Sequence, residues 1–129
     1  MILVDTSIWI RLFRDPTLGD RLGDRILECA TCPPVMQEVF QGLYDEPRTQ
    51  TIREGLLALP RVADPLKADT FLAAAELFRL GRRKGLTIRS SYDCLIAAIA
   101  IDHQCAVWHH DRDFDRIASY TALRLIQPA

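Results

Sequence analysis

Lysine is scarce in this chain: two residues among 129, against fourteen arginines, while aspartate outnumbers glutamate twelve to five. Lysine and glutamate are the better helix formers of their sign and the usual solvating charges on helices, so their shortage argues against charge spread only for solubility. Arginine grips phosphates and carboxylates with a planar fork, and aspartate favours caps, turns and metal sites. Long apolar runs are missing too. The longest, Cys94 to Ile101, has eight residues, far short of the roughly 18 that a membrane span needs. Neither sign of charge is in excess, since sixteen bases and seventeen acids leave a formal net charge of -1. That excludes a generic polycationic coat. Of the four cysteines, Cys29 and Cys32 stand at C-x-x-C spacing without a second pair at zinc spacing. No secretory segment precedes Asp5, so a disulfide framework is not expected, and Cys32 runs into Pro33-Pro34 rather than a redox helix. The cysteines are expected as buried small hydrophobes in a cytoplasmic protein.

There is no repeat, low-complexity segment or linker, so residues 1–129 are expected to form one domain. Ile2-Leu3-Val4 reads as a fully buried strand, with Thr6 or Ser7 capping a helix from Ile8 to Arg14. Pro16 and Gly19 are expected to break it, and a helical pattern resumes through Leu22, Ile26 and Leu27 to about Cys29. Pro33-Pro34 opens a helix with Val35, Val39 and Leu43 at helical spacing, and Pro47 opens another that Pro60 ends. Arg61-Val62-Ala63 reads as a short strand. Pro65 starts a long helix that ends at Gly81 or Gly85. Ser91 caps the next helix, Cys105 to Trp108 is strand-like, a last helix surrounds Phe114 and Ile117, and Leu123 to Ile126 is an edge or final strand. Alternating short strands and helices imply an α/β sandwich with a mostly parallel sheet.

In such a sheet ligands bind at the carboxyl ends of the strands. Asp5 directly follows the first strand, and Asp111 and Asp113 follow the strand ending at Trp108, so opposite ends of the chain should meet on one rim. Asp93 opens a helix that is apolar on nearly every side and shares a face with Ile96, Ala97 and Ala100. An unpaired carboxylate there would cost several kcal/mol or take up a proton. It either caps free N–H groups or holds a metal, and the two roles are compatible. Glu38 lies at the edge of the apolar stripe of the Pro33-Pro34 helix. Gly42, read as a helix-interior glycine, suggests close approach on that face.

Taken in order, four segments resemble the PIN domain, and within it the VapC-type toxin ribonucleases: Ile2 to Trp9, Glu38 with Val39 and Gly42, Tyr92 to Ala98, and His110 to Phe114. The resemblance covers the whole chain and implies a PIN-like three-layer α/β sandwich. It also implies a magnesium- or manganese-dependent endoribonuclease acting on structured RNA such as transfer or ribosomal RNA. Asp5, Glu38 and Asp93 match the family's acidic positions, and Asp111 and Asp113 its variable late pair, either of which can be the direct ligand. Asp5, Glu38, Asp93 and Asp111 are the expected catalytic set, with Asp5, Asp93, Asp111 and Asp113 as metal ligands. Thr6 matches the small hydroxyl residue beside the first acid. Met36, two before Glu38, stands where many relatives carry Ser or Thr. The resemblance further implies a homodimer and a cognate VapB-type antitoxin with a basic residue in the acidic groove.

Carboxylates without a cysteine or paired-histidine framework select a hard, oxygen-loving cation, which agrees with that resemblance. An acidic pocket repels phosphate, so cations are needed nearby: Arg82, Arg83 and Arg89, alternatively a solvated helix end, and Arg112, alternatively neutralising the cluster, are the expected substrate contacts, to which the resemblance adds Thr6. A phosphatase would want a second Asp two residues after Asp5, where Ser7 stands. A phosphoacceptor receiver would need a lysine after the late acids, and the last lysine is Lys84. A non-catalytic RNA- or partner-binding module on the same fold is the remaining alternative.

Overall fold

The computed structural model describes residues 1–12, 14–45 and 47–126. Position 13 of the first expected helix, position 46 and residues 127–129 of the expected domain lie outside them. The described elements are β1 (Ile2–Val4), α1 (Thr6–Arg11), α2 (Pro16–Asp24), a 3-10 turn (Ile26–Glu28), β2 (Cys29–Ala30), α3 (Pro33–Gln41), α4 (Pro47–Ala58), α5 (Ala68–Arg83), α6 (Ser91–Asp102), β3 (Ala106–Trp108), α7 (Arg112–Ala118) and β4 (Arg124–Ile126). The strands form one parallel sheet in the order β2-β1-β3-β4. Leu3 stands opposite both Ala30 and Val107, and Val4 opposite Trp108. Successive strand residues point to opposite faces, yet every residue of β1 and β3 is buried. Helices therefore cover both faces, giving the expected three-layer sandwich.

Helix α6 is the central helix: Ile96, Ala97, Ile99 and Ala100 have no exposed surface. It packs most extensively on α5 and also touches α7 and β3. Burying Ile96 and Ile99 alone contributes roughly 1.5–3 kcal/mol each. All four cysteines are free and buried, and burial pushes the Cys29 thiol up to about 11 and that of Cys32 up to about 12. They are packing residues, as expected. No helix among the described residues is long and apolar enough to cross a membrane.

Several local expectations are corrected. The first helix ends at Arg11, earlier than the Arg14 expected, and Gly19 breaks nothing: Pro16 begins the separate helix α2, where its missing N–H costs nothing, and Asp15 caps it by accepting the Leu18 N–H at 3.2 Å. The helical pattern expected to about Cys29 is α2 to Asp24 and then the 3-10 turn, and Cys29 instead begins β2, which is two residues long and pairs with β1. Arg61–Ala63 makes only a single parallel bridge, Thr31 to Arg61. The long helix starts at Ala68 and runs through Gly81. There the Tyr120 hydroxyl would lie 2.6 Å from a Cβ, so the position admits only glycine without a shift. The helix ends in a left-handed Gly85 (φ +76), whose N–H donates to Arg82 while Leu86 donates to Gly81. Gly42 is the C-cap of α3 rather than an interior residue, and a Cβ there would make only ordinary contacts at 3.6 Å.

Candidate metal centre

Because β1 and β3 are adjacent and parallel, the residues that follow them share one rim, and the Asp5 N–H donates to the Trp108 carbonyl at 2.9 Å. Asp5 itself caps α1, a role expected of Thr6 or Ser7. Its Oδ2 accepts the Ser7 backbone N–H at 3.0 Å and the Ser7 hydroxyl at 2.6 Å. Ser7 Oγ in turn accepts the His110 N–H at 2.9 Å, tying the two strand ends together. The other Asp5 oxygen, Oδ1, is buried with no hydrogen-bond partner. Burial raises the Asp5 pKa, although the Ser7 hydrogen bonds oppose it.

Asp93 lies in the first turn of α6, and only 6% of it is exposed. The cap of this helix is Ser90, one residue before the serine expected, and its Oγ accepts the Asp93 N–H at 3.4 Å. Asp93 is thus not the cap, and its Oδ2 is buried without a partner. Burial, followed by the charges of Asp111, Asp5, Asp113 and Glu38, pushes its pKa up to about 8. The four other acids expected from the sequence thus all act on Asp93. Oxygens of Asp93, Asp111 and Asp113 lie within 4.8 Å of one another. Glu38 on α3 is half-buried; burial and the charge of Asp5 raise its pKa, while a hydrogen bond from Tyr92 opposes them.

The late pair divides. Asp113 is buried and fully occupied: Oδ2 accepts the N–H groups of Arg89 (3.0 Å) and Ser90 (3.1 Å), and Oδ1 lies 2.9 Å from Arg116 Nη1. It clamps the segment that leads into α6. Asp111 is exposed and caps α7 through Oδ1, which accepts the Asp113 N–H at 2.9 Å. Three residues that sequence reasoning left out of the site support it. Ser7 joins the rim, and Tyr92 hydrogen-bonds Thr6 at 3.2 Å as well as Glu38. Buried His109 accepts the Asp111 N–H on Nδ1 at 3.0 Å. Burial lowers the His109 pKa, so its ring is the neutral tautomer with the proton on Nε2, 3.7 Å from Asp115. The one signal for them was proximity in sequence to an acid.

Among the expected substrate contacts, Arg89 and Arg112 line a cleft shared with Asp111 and Asp113. Arg82 instead lies over the Phe78 ring at 5.3 Å, and Arg83 pairs with Glu76 at 3.5 Å, both on the surface of α5. The Thr6 side chain is buried and engaged with Tyr92.

Two buried carboxylate oxygens without partners, each raised in energy by the charge of further carboxylates, are a poor arrangement for the protein alone and a suitable one for a divalent cation. The donor set is all oxygen, so the residues fit a hard ion.

Comparison with known proteins agrees with this geometry. The profile of the PIN domain matches residues 2–120. A VapC ribonuclease of Mycobacterium bovis is 38% identical over 130 residues, covering 96% of each chain. Ribonuclease VapC18 of Mycobacterium tuberculosis is 31% identical over 125 residues, covering 92% of this chain and 88% of its own. Among solved structures, VapBC2 from Rickettsia felis bound to a promoter DNA fragment superposes with a TM-score of 0.76 at 22% identity, covering 98% of each chain.

Proposed function

The chain belongs to the PIN-domain family, and from that membership we propose that it is the toxin of a toxin–antitoxin pair, an endoribonuclease that requires a divalent cation. The observation that carries the reading is the pair of unpartnered buried oxygens, Asp5 Oδ1 and Asp93 Oδ2, beside the other acids. The full-length likeness to VapC ribonucleases supplies the substrate class, RNA, with structured RNA such as transfer or ribosomal RNA as the finer expectation.

Asp5, Asp93 and Asp111 are the proposed direct ligands, and the ion is magnesium or manganese. When bound, it supplies Lewis-acid chemistry, positioning a phosphodiester and lowering the pKa of a water for in-line attack. The chain's own groups do the rest. Asp5 and Asp93 supply buried charge on elements fixed by Ser7 and Ser90. His109 and Asp113 act as positioning residues, the first through the backbone of Asp111 and the second through the residues before Asp93. Glu38, whose proton affinity is raised, offers its carboxylate to take the proton released by the attacking water. Thr6, through Tyr92, orients that carboxylate. A cytoplasmic site of action, a homodimer and a VapB-type antitoxin that places a basic residue in the acidic groove complete the reading.

The test is incubation of the purified protein with cellular RNA and manganese, followed by sequencing of the new ends. Discrete ends that vanish with a chelator are expected. RNA left intact with every divalent ion would overturn the reading in favour of a non-catalytic module.

A further inference from the structure

The cleft beside the carboxylate cluster has a volume of about 280 Å3 and is lined by Arg89, Arg112, Arg116 and His110 together with Asp111 and Asp113. Its three guanidinium groups are not equivalent. Arg116 is committed to Asp113 at 2.9 Å. Arg89 and Arg112 are exposed, and among the described residues neither guanidinium has a carboxylate within ion-pair distance. Their backbones are nevertheless fixed. The Arg89 N–H donates to Asp113 Oδ2 at 3.0 Å, and Arg112 is the first residue of α7, capped by Asp111. Two uncompensated forks are thus anchored beside Asp111 and Asp113 at the start of α7, next to the carboxylate cluster.

We propose that this cleft is a phosphate subsite in which Arg89 and Arg112 together grip one phosphodiester of the RNA, next to the phosphate held at the carboxylates. The proposal rests on the ribonuclease reading for the identity of the strand. An acidic centre repels the phosphates on either side of the cut, and a cleft with excess positive charge at its edge offsets that repulsion. Arginine suits the task because its fork pairs bidentately with phosphate oxygens. The basic end of α5 does not share it, since Arg82 and Arg83 are engaged with Phe78 and Glu76.

The experiment is fluorescence anisotropy with a labelled single-stranded RNA of about 12 nucleotides. A chelator is present, so that cutting is stopped. Arg89→Gln and Arg112→Gln are each expected to weaken binding about fivefold, and the double variant about tenfold, well short of the product, because a shared phosphate is lost once. The double variant should flatten the salt dependence by roughly 0.7 in logarithmic slope, one single-strand phosphate. Lysine at both positions should restore that slope without restoring the affinity, since it keeps the charge and loses the fork. Unchanged binding in either single variant overturns the proposal. So does a double variant that weakens by the full product with a slope change of about 1.4, which means two separate phosphates. RNA bound as expected but left intact in manganese would overturn the nuclease reading and leave the subsite standing. RNA cut by a protein whose arginine variants bind normally would do the reverse.

Discussion

Asp93→Asn preserves the shape of the side chain and removes its charge, and in the metal-free protein it should stabilise the fold by an amount that grows with pH. Asp93 has its pKa raised from 3.8 to about 8. In that window the folded chain retains a proton that the unfolded chain releases, so wild-type stability falls as pH rises and the loss is complete once pH passes about 8. Below the unfolded value both states are protonated and there is no penalty. At about 1.4 kcal/mol per pKa unit the shift sets a ceiling of about 6 kcal/mol. Asp93 is only 6% exposed, but its neighbour Asp111 is open to water. Solvent screening at that rim lowers the figure to about 3 kcal/mol. Urea unfolding in a chelator should therefore show the variant ahead by about 1 kcal/mol near pH 5 and by about 3 kcal/mol near pH 8.5. Manganese at about a hundred times its Kd should stabilise wild type by about 2.7 kcal/mol and the variant far less. A variant no more stable than wild type near pH 8.5 in the chelator would refute the reasoning, as would equal stabilisation of both proteins by manganese.

His109→Asn should keep manganese affinity within about threefold, because the amide oxygen can replace Nδ1 as acceptor of the Asp111 N–H, whereas His109→Phe should weaken it by about tenfold or more; isothermal titration reads both. Asp113→Ala removes the acceptor for two backbone N–H groups and leaves Arg116 unpaired. It should cost about 3 kcal/mol, measured as a shift of the urea midpoint. Gly81→Ala improves helix propensity by about 1 kcal/mol, yet the Tyr120 hydroxyl 2.6 Å from the new Cβ should make it net destabilising by about 1–2 kcal/mol. In a Tyr120→Ala background the sign should reverse, as thermal denaturation of the four proteins would show.

The sheet edge and its acids were legible because each signal was strong and local. Ile2-Leu3-Val4 and Ala106-Val107-Trp108 are apolar runs that end at polar residues, and parallel pairing then puts Asp5 and Asp111 on one rim. Asp93 could be singled out because a carboxylate in the first turn of an all-apolar helix needs a reason. What escaped was short or long-range. β2 has two residues, too few for any periodicity, and its identity comes from pairing with β1. Pro16 marks a helix start as readily as a helix break, and only the geometry of Asp15 decides between them. The division of labour between Asp111 and Asp113 depends on hydrogen bonds to Arg89 and Ser90, more than twenty positions away. Gly81 is a glycine inside a helix because Tyr120 leaves no room for a Cβ there, a contact no local pattern announces.

The central claim is that Asp5 and Asp93 hold the ion on which RNA cleavage depends. Its most direct measurement is manganese-dependent cleavage of RNA by the wild-type protein, Asp5→Ala and Asp93→Asn, with manganese binding followed on the same three samples. The account predicts that the wild type binds manganese and cuts, and that each variant loses both, while Asp93→Asn remains folded and is more stable than wild type in a chelator. Metal-dependent cleavage that survives in both variants would contradict it.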